Sequence, residues 1–287
     1  MGIYEISLAT VVCINIILAV SLNLITGFCG QISLGHAAFY GIGAYTAALL
    51  AQAGLPGPLS LLAAAVAAGI VGTVVGLASL RVRDDFLAIT TMGVGFLFLG
   101  IVRQQESLLG GELGLSSIPS FGLDKSGFFL VTLFFAVLVT LFSLYLKRSW
   151  MGFAFEAVAD DEDTARMVSI DVPSYKLAAF ALGTAWAGLA GGLYAYFTRF
   201  IVPDDFGFIT SITILSMVAV GGIGSTYGVL VGAALLTLMP EFFRFLSDYK
   251  LLMYGVLLFV VMRFVPDGLA GLFKIVFHRR PEKEAEV

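Results

Sequence analysis

The chain has 287 residues, of which 59% are hydrophobic and only 13% are charged, and its mean hydropathy is +0.98. A soluble domain carries about 25% charged residues, so this composition excludes a water-soluble globule and predicts an all-α integral membrane protein. The net charge is −4 and no basic run is long enough to follow a nucleic acid, so we expect no nucleic-acid partner.

The residue types argue against a cofactor held by this chain. Its two histidines, His36 and His278, are too few for a metal-ligand cluster. No G-x-x-x-x-G-K-[ST] phosphate loop occurs, so ATP is not expected to bind here. Cys13 and Cys29 lie in or beside apolar segments and are expected to be small buried hydrophobes. The first segment lacks a basic flank, so we expect no cleavable signal peptide.

Apolar segments of membrane-spanning length recur along the chain, since a helix needs about 20 apolar residues to cross the hydrocarbon. We predict about nine transmembrane helices (8–10) in one transmembrane domain, residues 1–278, followed by a cytoplasmic tail, residues 279–287. The nine segments are Ile6–Ile25, Ala37–Ala53, Leu59–Leu80, Phe86–Val102, Phe128–Leu146, Leu177–Phe197, Phe208–Gly222, Val229–Phe245 and Leu251–Phe264.

The distribution of Lys and Arg predicts the orientation, because cytoplasmic loops carry the excess of these residues. Placing residues 147–176 in the cytoplasm puts the larger group of basic residues inside and puts the N-terminus outside. The inner group is Arg81, Arg83, Lys147, Arg148, Arg166, Lys176, Arg263, Lys274, Arg279, Arg280 and Lys283, and the outer group is Arg103, Lys125, Arg199, Arg244 and Lys250. The outer loop Gln104–Gly127 is interpreted as a connector or as a docking surface or short lid.

The stretch "TGFCGQISLGHAAFYGIGAY", Thr26–Tyr45, places polar residues among five glycines at apparent membrane depth. Glycines break helices, and freed backbone groups are tolerated in a membrane only against protein or a water-filled cavity. We predict a broken helix that lines or supports a translocation pathway; the alternative is a packed turn at the membrane surface. Asn15 and Asn23 share a helix face and either line the same passage or bond to a neighbouring helix. The predicted pathway residues are Asn23, Gly30, Gln31, Ser33, Gly35, His36, Gly41 and Gly43.

The internal segment Met151–Lys176 combines apolar residues at helical spacing with acidic residues elsewhere. Glu162 and Arg166 form a favourable (i, i+4) pair, and Pro173 is expected to hold Val172 out of helical geometry. We predict a short amphipathic helix on the cytoplasmic face, ended by an extended "IDVP". It is either a solvated connector or a helix that sits in a cleft on another protein.

Three long stretches carry a family resemblance. "LNLITGFCGQISLGHAAFYGIGAY", "MGFAFEAVADDEDTARMVSIDVPSYKLAAFALGTAWAGLAGGLYAYF" and "VGGIGSTYGVLVGAALLTLMPEFFRFLSDYKLLMYGVLLFVVMRFVPDGLAGLF" resemble permease subunits of branched-chain amino-acid ABC importers, the LivM type of the LivH/LivM family. Together they cover most of Leu22–Phe273.

This resemblance implies a subunit of the bacterial cytoplasmic (inner) membrane, in contact with lipid, that transports Leu, Ile and Val. It implies a second, LivH-type permease, two cytoplasmic ATP-binding subunits that hold the ATP, and an extracytoplasmic amino-acid-binding protein. Ala159 and Ser169 depart from the family pattern, which often has a basic residue and a glycine there. By position, the family's ATPase-coupling motif falls on Glu156, Ala157, Asp161, Glu162, Ala165 and Ile170.

We therefore expect a transporter subunit that is not itself an enzyme, with closure of the partner ATPases moving the Glu156–Ile170 helix. The alternatives are a permease for urea or short-chain amides, and a self-contained channel or secondary carrier. An intramembrane enzyme using His36 and Ser33 would need an acidic partner that this segment lacks. No acidic residue lies at the centre of a predicted span, which disfavours an ion-coupled carrier.

Overall fold

The computed structural model describes residues 2–79 and 84–242, together with positions 255, 259, 263 and 268–271. Within these residues the fold is helical, with one isolated antiparallel bridge between Leu115 and Ile201. The α-helices are α1 Ile3–Asn23, α2 His36–Gln52, α3 Gly57–Ser79, α4 Asp84–Gln104, α5 Glu106–Leu109, α6 Lys125–Arg148, α7 Trp150–Asp160, α8 Glu162–Met167, α9 Val172–Thr198, α10 Phe208–Gly221 and α11 Thr226–Phe242.

Six segments of the described chain are long and apolar enough to cross a membrane, which confirms a multi-pass membrane protein. They are Ile3–Phe28, Gly57–Ala78, Phe86–Gln104, Lys125–Arg148, Val172–Thr198 and Pro203–Gly221. The predicted second span is α2, whose 17 residues reach about 25 Å at 1.5 Å per residue. The predicted eighth span corresponds to α11 as far as Phe242, and the ninth, Leu251–Phe264, falls almost wholly outside the described residues.

Helix α9 lies at the centre of the bundle and packs against α1, α2 and α3. The contacts are close because glycine removes the side chain between helix backbones. A Cβ added to Gly191 would collide with the Tyr40 carbonyl of α2, and one added to Gly188 would collide with Ala68 of α3. By contrast, α4 exposes most of its apolar surface, including Ile89, Leu97 and Ile101.

The two ends of the bundle are held by different polar contacts. At the end predicted to be external, Leu115 and Ile201 exchange backbone hydrogen bonds of 2.9 and 3.0 Å. Arg103 forms an ion pair of 2.7 Å with Asp204 beside them. The opposite end holds α7, α8 and the turn between α10 and α11.

The segment predicted as one amphipathic helix ended by an extended "IDVP" forms two helices instead. Asp161 adopts an extended conformation (φ −161°, ψ 116°) that ends α7 and caps α8. The prediction was also wrong at Val172, which begins α9 with Pro173 in its first turn. Proline is accepted there because its missing N–H would have had no partner within the helix. Val168, one of the apolar residues at helical spacing in this segment, is 66% exposed.

Candidate functional site: a broken helix beside a cytoplasmic helix pair

The first membrane helix breaks where the glycine-rich stretch begins. After Asn23 the backbone continues as a π-helix over Leu24–Phe28, and residues 30–35 form no regular helix before α2 starts at His36. Gly30 has a φ of 72°, a left-handed backbone conformation that residues other than glycine rarely adopt. The predicted break is therefore present, and it contains the polar residues that the sequence placed there.

Side chains from two other helices, and one from within the break, bind the backbone around the break. The Leu34 N–H donates to Thr91 Oγ1 of α4 at 3.0 Å, and the Ala37 N–H donates to Ser211 Oγ of α10 at 3.0 Å. Thr26 Oγ1, within the break, donates to the Gln31 carbonyl at 3.0 Å. These contacts satisfy backbone groups that would otherwise cost several kcal/mol each, roughly, in an apolar medium.

The two asparagines of α1 bind the α10–α11 hairpin. Asn15 Nδ2 donates to Thr237 Oγ1 of α11 at 2.9 Å. Asn23 Oδ1 accepts a hydrogen bond of 2.9 Å from the Gly224 N–H, in the turn between α10 and α11. Of the two interpretations of these residues, bonding to a neighbouring element is the one seen in the described structure.

His36 is held by Ser21 of α1, with 2.8 Å between the His36 Nε2 and Ser21 Oγ atoms. Because Ser21 Oγ donates its proton to the Leu18 carbonyl at 2.7 Å, it accepts from His36. His36 then carries its proton on Nε2, and Nδ1 is a buried acceptor. The hydrogen-bond partner of His36 is thus Ser21, and Ser33 Oγ has no partner among the described residues, so the described structure shows no hydrogen bond between His36 and Ser33.

Four buried polar atoms around the break have no hydrogen-bond partner among the described residues: Asn23 Nδ2, Gln31 Oε1, Ser33 Oγ and His36 Nδ1. All four side chains are at most 2% exposed. An unsatisfied buried polar group costs about 1–3 kcal/mol. The described side chains therefore leave four buried polar atoms of the break without a hydrogen bond.

The predicted pathway glycines are contact points between elements. A Cβ on Gly35 would collide with the Thr91 carbonyl of α4, and one on Gly43 with the Gly188 backbone of α9. A Cβ on Gly41 would meet Phe98 at 2.5 Å. Seven of the eight predicted pathway residues are buried inside this chain, and Gly30 is the exposed one.

Helix α7 lies directly on the break. A Cβ added to Gly30 would be only 3.2 Å from the Ala159 Cα atom. Phe155 of α7 is fully buried in an apolar cluster that includes Phe28 and Cys29. Lys147, at the end of α6, donates to the Gly224 carbonyl at 2.5 Å. The break, α7 and the α10–α11 turn thus form one contact region.

The predicted coupling residues divide into internal and external groups. Glu162 binds Arg166 at 2.9 Å, as the sequence predicted, and also pairs with Lys176 of α9. The Thr164 N–H donates to Asp161 Oδ1 at 2.6 Å, and this bond lowers the pKa of the Asp161 carboxyl. Ala165 is buried, while Glu156 is exposed. Ala157 and Ile170 are partly buried.

Large apolar side chains on α7 and around the end of α8 lie on the surface. Trp150 is 81% exposed and Met167 is 85% exposed, and Phe153 and Val168 are also exposed. Contiguous exposed apolar residues mark interaction surfaces when they lie outside the hydrocarbon. We call these four residues the apolar rim; of the four, only Val168 belongs to the helically spaced apolar pattern of this segment.

Comparison with known proteins gives a family for this arrangement. A family model described as "Branched-chain amino acid transport system / permease component" matches residues 5–262. The chain belongs to this permease family. It is 35% identical to the high-affinity branched-chain amino-acid transport system permease protein LivM of Escherichia coli K12, over 92% of this chain and 69% of the relative.

Other members of the permease family are similar over most of the chain. The LivM protein of Salmonella typhimurium is 34% identical, again over 92% of this chain and 69% of the relative. The BraD protein of Pseudomonas aeruginosa is 29% identical over 93% of this chain and 92% of its own length. No solved structure matches the chain significantly. The urea or amide permease and the secondary carrier are not favoured by these relatives.

The sequence alone did not identify the residues that hold the break. Ser21, Thr91 and Ser211 share their apolar helices with other hydroxyl residues, many of which bond only within their own helix, so the sequence does not mark these three out. What distinguishes these three residues is their full or nearly full burial beside an irregular backbone. Only the structure shows this property.

Proposed function

We propose that this chain is the permease subunit of an ABC importer for branched-chain amino acids in the bacterial cytoplasmic (inner) membrane. The observation that carries the proposal is the family match, which spans residues 5–262. The proposed partners are a LivH-type permease, two cytoplasmic ATP-binding subunits that hold the ATP, and an extracytoplasmic amino-acid-binding protein. The chain itself then binds no ATP.

The proposed topology has nine transmembrane helices, an external N-terminus and a cytoplasmic tail at residues 279–287, which lies outside the described residues. The bundle supports it by collecting Lys147, Arg148 and Arg166 at the α7–α8 end. Positive charge at one end of a bundle favours the cytoplasmic side.

Helices α7 and α8 form the proposed coupling element. The apolar rim and Glu156 face outward from them, so we assign these residues to contact with the ATP-binding subunits. Glu162, Asp161 and Ala165 are assigned to holding the element together, because their described bonds and burial are internal.

The coupling element is proposed to act on the broken helix. Gly30 contacts Ala159 closely, and Phe155 packs beside Phe28. Displacement of α7 would therefore shift the break, and the four unpaired polar atoms would find new partners or water. Asn23, Gln31, Ser33 and His36 are proposed to support this gate, with Gly35, Gly41 and Gly43 allowing its close packing.

The test is reconstitution of the chain with its partner permease, ATP-binding subunits and binding protein in proteoliposomes. We expect uptake of labelled leucine that requires luminal ATP and every subunit. Uptake by this chain alone would contradict the proposal and support a secondary carrier. Competition by urea or acetamide but not by leucine would instead support the amide permease.

Substitutions that change the charge of the proposed contact test the coupling surface. Glu156→Lys and Val168→Glu should lower co-purification of the ATP-binding subunits, since each places charge on the proposed contact. Glu112→Lys, a charge reversal in the loop at the opposite end, is the matched control. Equal recovery of the complex for all three variants would remove α7 and α8 from the interface.

A further inference from the structure

A cleft of about 500 Å³ lies between α7, the end of the broken helix and the α10–α11 turn. Phe28 comes from the break, Lys147 from α6, Glu156 and Asp160 from α7, and Ile223 from the turn. Its size falls within the range of roughly 300–1,000 Å³ that is typical of small-molecule sites.

The charged groups of this cleft do not neutralise one another. Neither Glu156 nor Asp160 makes a hydrogen bond or ion pair with any residue in the described ranges. Lys147 uses one donor on the Gly224 carbonyl and lies 5.5 Å from the centroid of the Phe28 ring. An ammonium has three donors, so two remain for a ligand.

Such a lining matches a small zwitterion with an apolar side chain. Lys147 is placed to bind a carboxylate, and Asp160 to bind an ammonium, through charge-assisted hydrogen bonds. Phe28 and Ile223 supply apolar wall for an aliphatic group. A phosphate or other simple anion would meet two unpaired carboxylates, and a simple cation would meet the lysine.

We propose that this cleft binds a free aliphatic amino acid from the cytoplasm and that occupancy slows transport. The inference rests on the proposed function, which makes the same class of molecule the product of the cycle. A ligand seated here would bridge α7 to the turn and to Phe28. It would thereby hold together the elements whose relative movement couples ATP hydrolysis to the break.

The first experiment measures the initial rate of labelled leucine uptake by the reconstituted importer, with unlabelled leucine at rising concentration in the lumen. We expect saturable inhibition. 4-Methylpentanoate, which lacks the ammonium, and isopentylamine, which lacks the carboxylate, should inhibit only at concentrations about tenfold or more higher, since each loses a charge-assisted bond.

Variants locate the inhibition in the cleft. Lys147→Gln and Asp160→Asn should raise the half-inhibiting leucine concentration about tenfold, with each variant compared with its own uninhibited rate. Arg148→Gln is the matched control, because Arg148 lines a neighbouring cavity and not this cleft. Absence of luminal inhibition, or the same half-inhibiting concentration in all variants, would overturn the proposal.

A second measurement separates this inference from the proposed function. Labelled leucine is titrated into the purified complex without ATP and without the binding protein. Saturable binding weakened by Asp160→Asn supports the cleft even if uptake fails, whereas no saturable binding refutes it. If the reconstituted importer takes up no leucine even when the lumen contains none, that result counts against the proposed function and not against the cleft.

Discussion

Individual hydroxyl groups hold the broken helix in place. Ser211 is the plainest case, because its Oγ accepts the Ala37 N–H at the start of α2. That N–H is buried, and in an apolar environment it has no water to replace a lost partner. The stability of the break thus depends on single polar atoms contributed by helices distant in sequence.

Ser211→Ala is expected to destabilise the folded chain by about 1–3 kcal/mol, the cost of leaving a buried donor unpaired. Ser216→Ala is the matched control, since Ser216 lies on the same helix, is buried, and bonds only to the Ile212 carbonyl of its own helix. The midpoint of thermal unfolding in detergent should fall more for Ser211→Ala. Equal shifts would show that the interhelical bond adds nothing.

Glycines allow helices of the bundle to pack closely at their contacts. Gly43→Ala should destabilise the chain by about 1–3 kcal/mol or more, because the added methyl meets backbone atoms of Gly188 that cannot rotate away. Gly93→Ala, in α4, is the control: a Cβ there has nothing within 4 Å. It should be neutral or stabilising by up to about 1 kcal/mol. Fluorescence-detected size exclusion after heating measures both, and a Gly43→Ala variant as heat-stable as wild type would contradict this packing.

At the scale of elements, α8 depends on the cap provided by Asp161. Its folded pKa lies below the ordinary value of 3.8, because the Thr164 N–H bonds to the ionised carboxylate. A lowered folded pKa means that the cap stabilises α8 above the ordinary pKa and loses this contribution as pH falls through the folded value.

Hydrogen exchange at the Thr164 amide tests this cap. After correction for the intrinsic rate, protection in the wild type should decline as pH falls below 3.8. Asp161→Asn keeps an oxygen acceptor but does not titrate, so its protection should stay flat over the same range. Parallel profiles for the two proteins would show that Asp161 ionisation does not control the cap.

Elements also show what a sequence can and cannot predict here. Long apolar runs such as Ile6–Ile25 predicted α1 correctly, because periodicity and length are local properties. The division at Asp161 was missed because a capping aspartate and an acidic surface residue look alike in sequence. Ser21, Thr91 and Ser211 were missed because their partners lie at least 15 positions away. The pathway and coupling roles stay predictions, since they depend on subunits beyond this chain.

For the whole molecule, the two ends of the bundle should be reachable from opposite sides of the membrane. Ser116→Cys, at the Arg103 end, should react with an impermeant maleimide on intact cells, and Met167→Cys only after permeabilisation. The native thiols Cys13 and Cys29 are buried and provide a low background. Labelling of Met167→Cys on intact cells would reverse the proposed orientation.

The contact between Gly30 and Ala159 has a mechanical consequence. Two backbones meet there with no long side chain between them, so neither helix can move far without displacing the other. A long, flexible side chain at this contact would change rotamer and so absorb part of any displacement of α7. A direct backbone contact instead transmits small displacements with little loss, which suits the proposed drive by separate ATP-binding subunits.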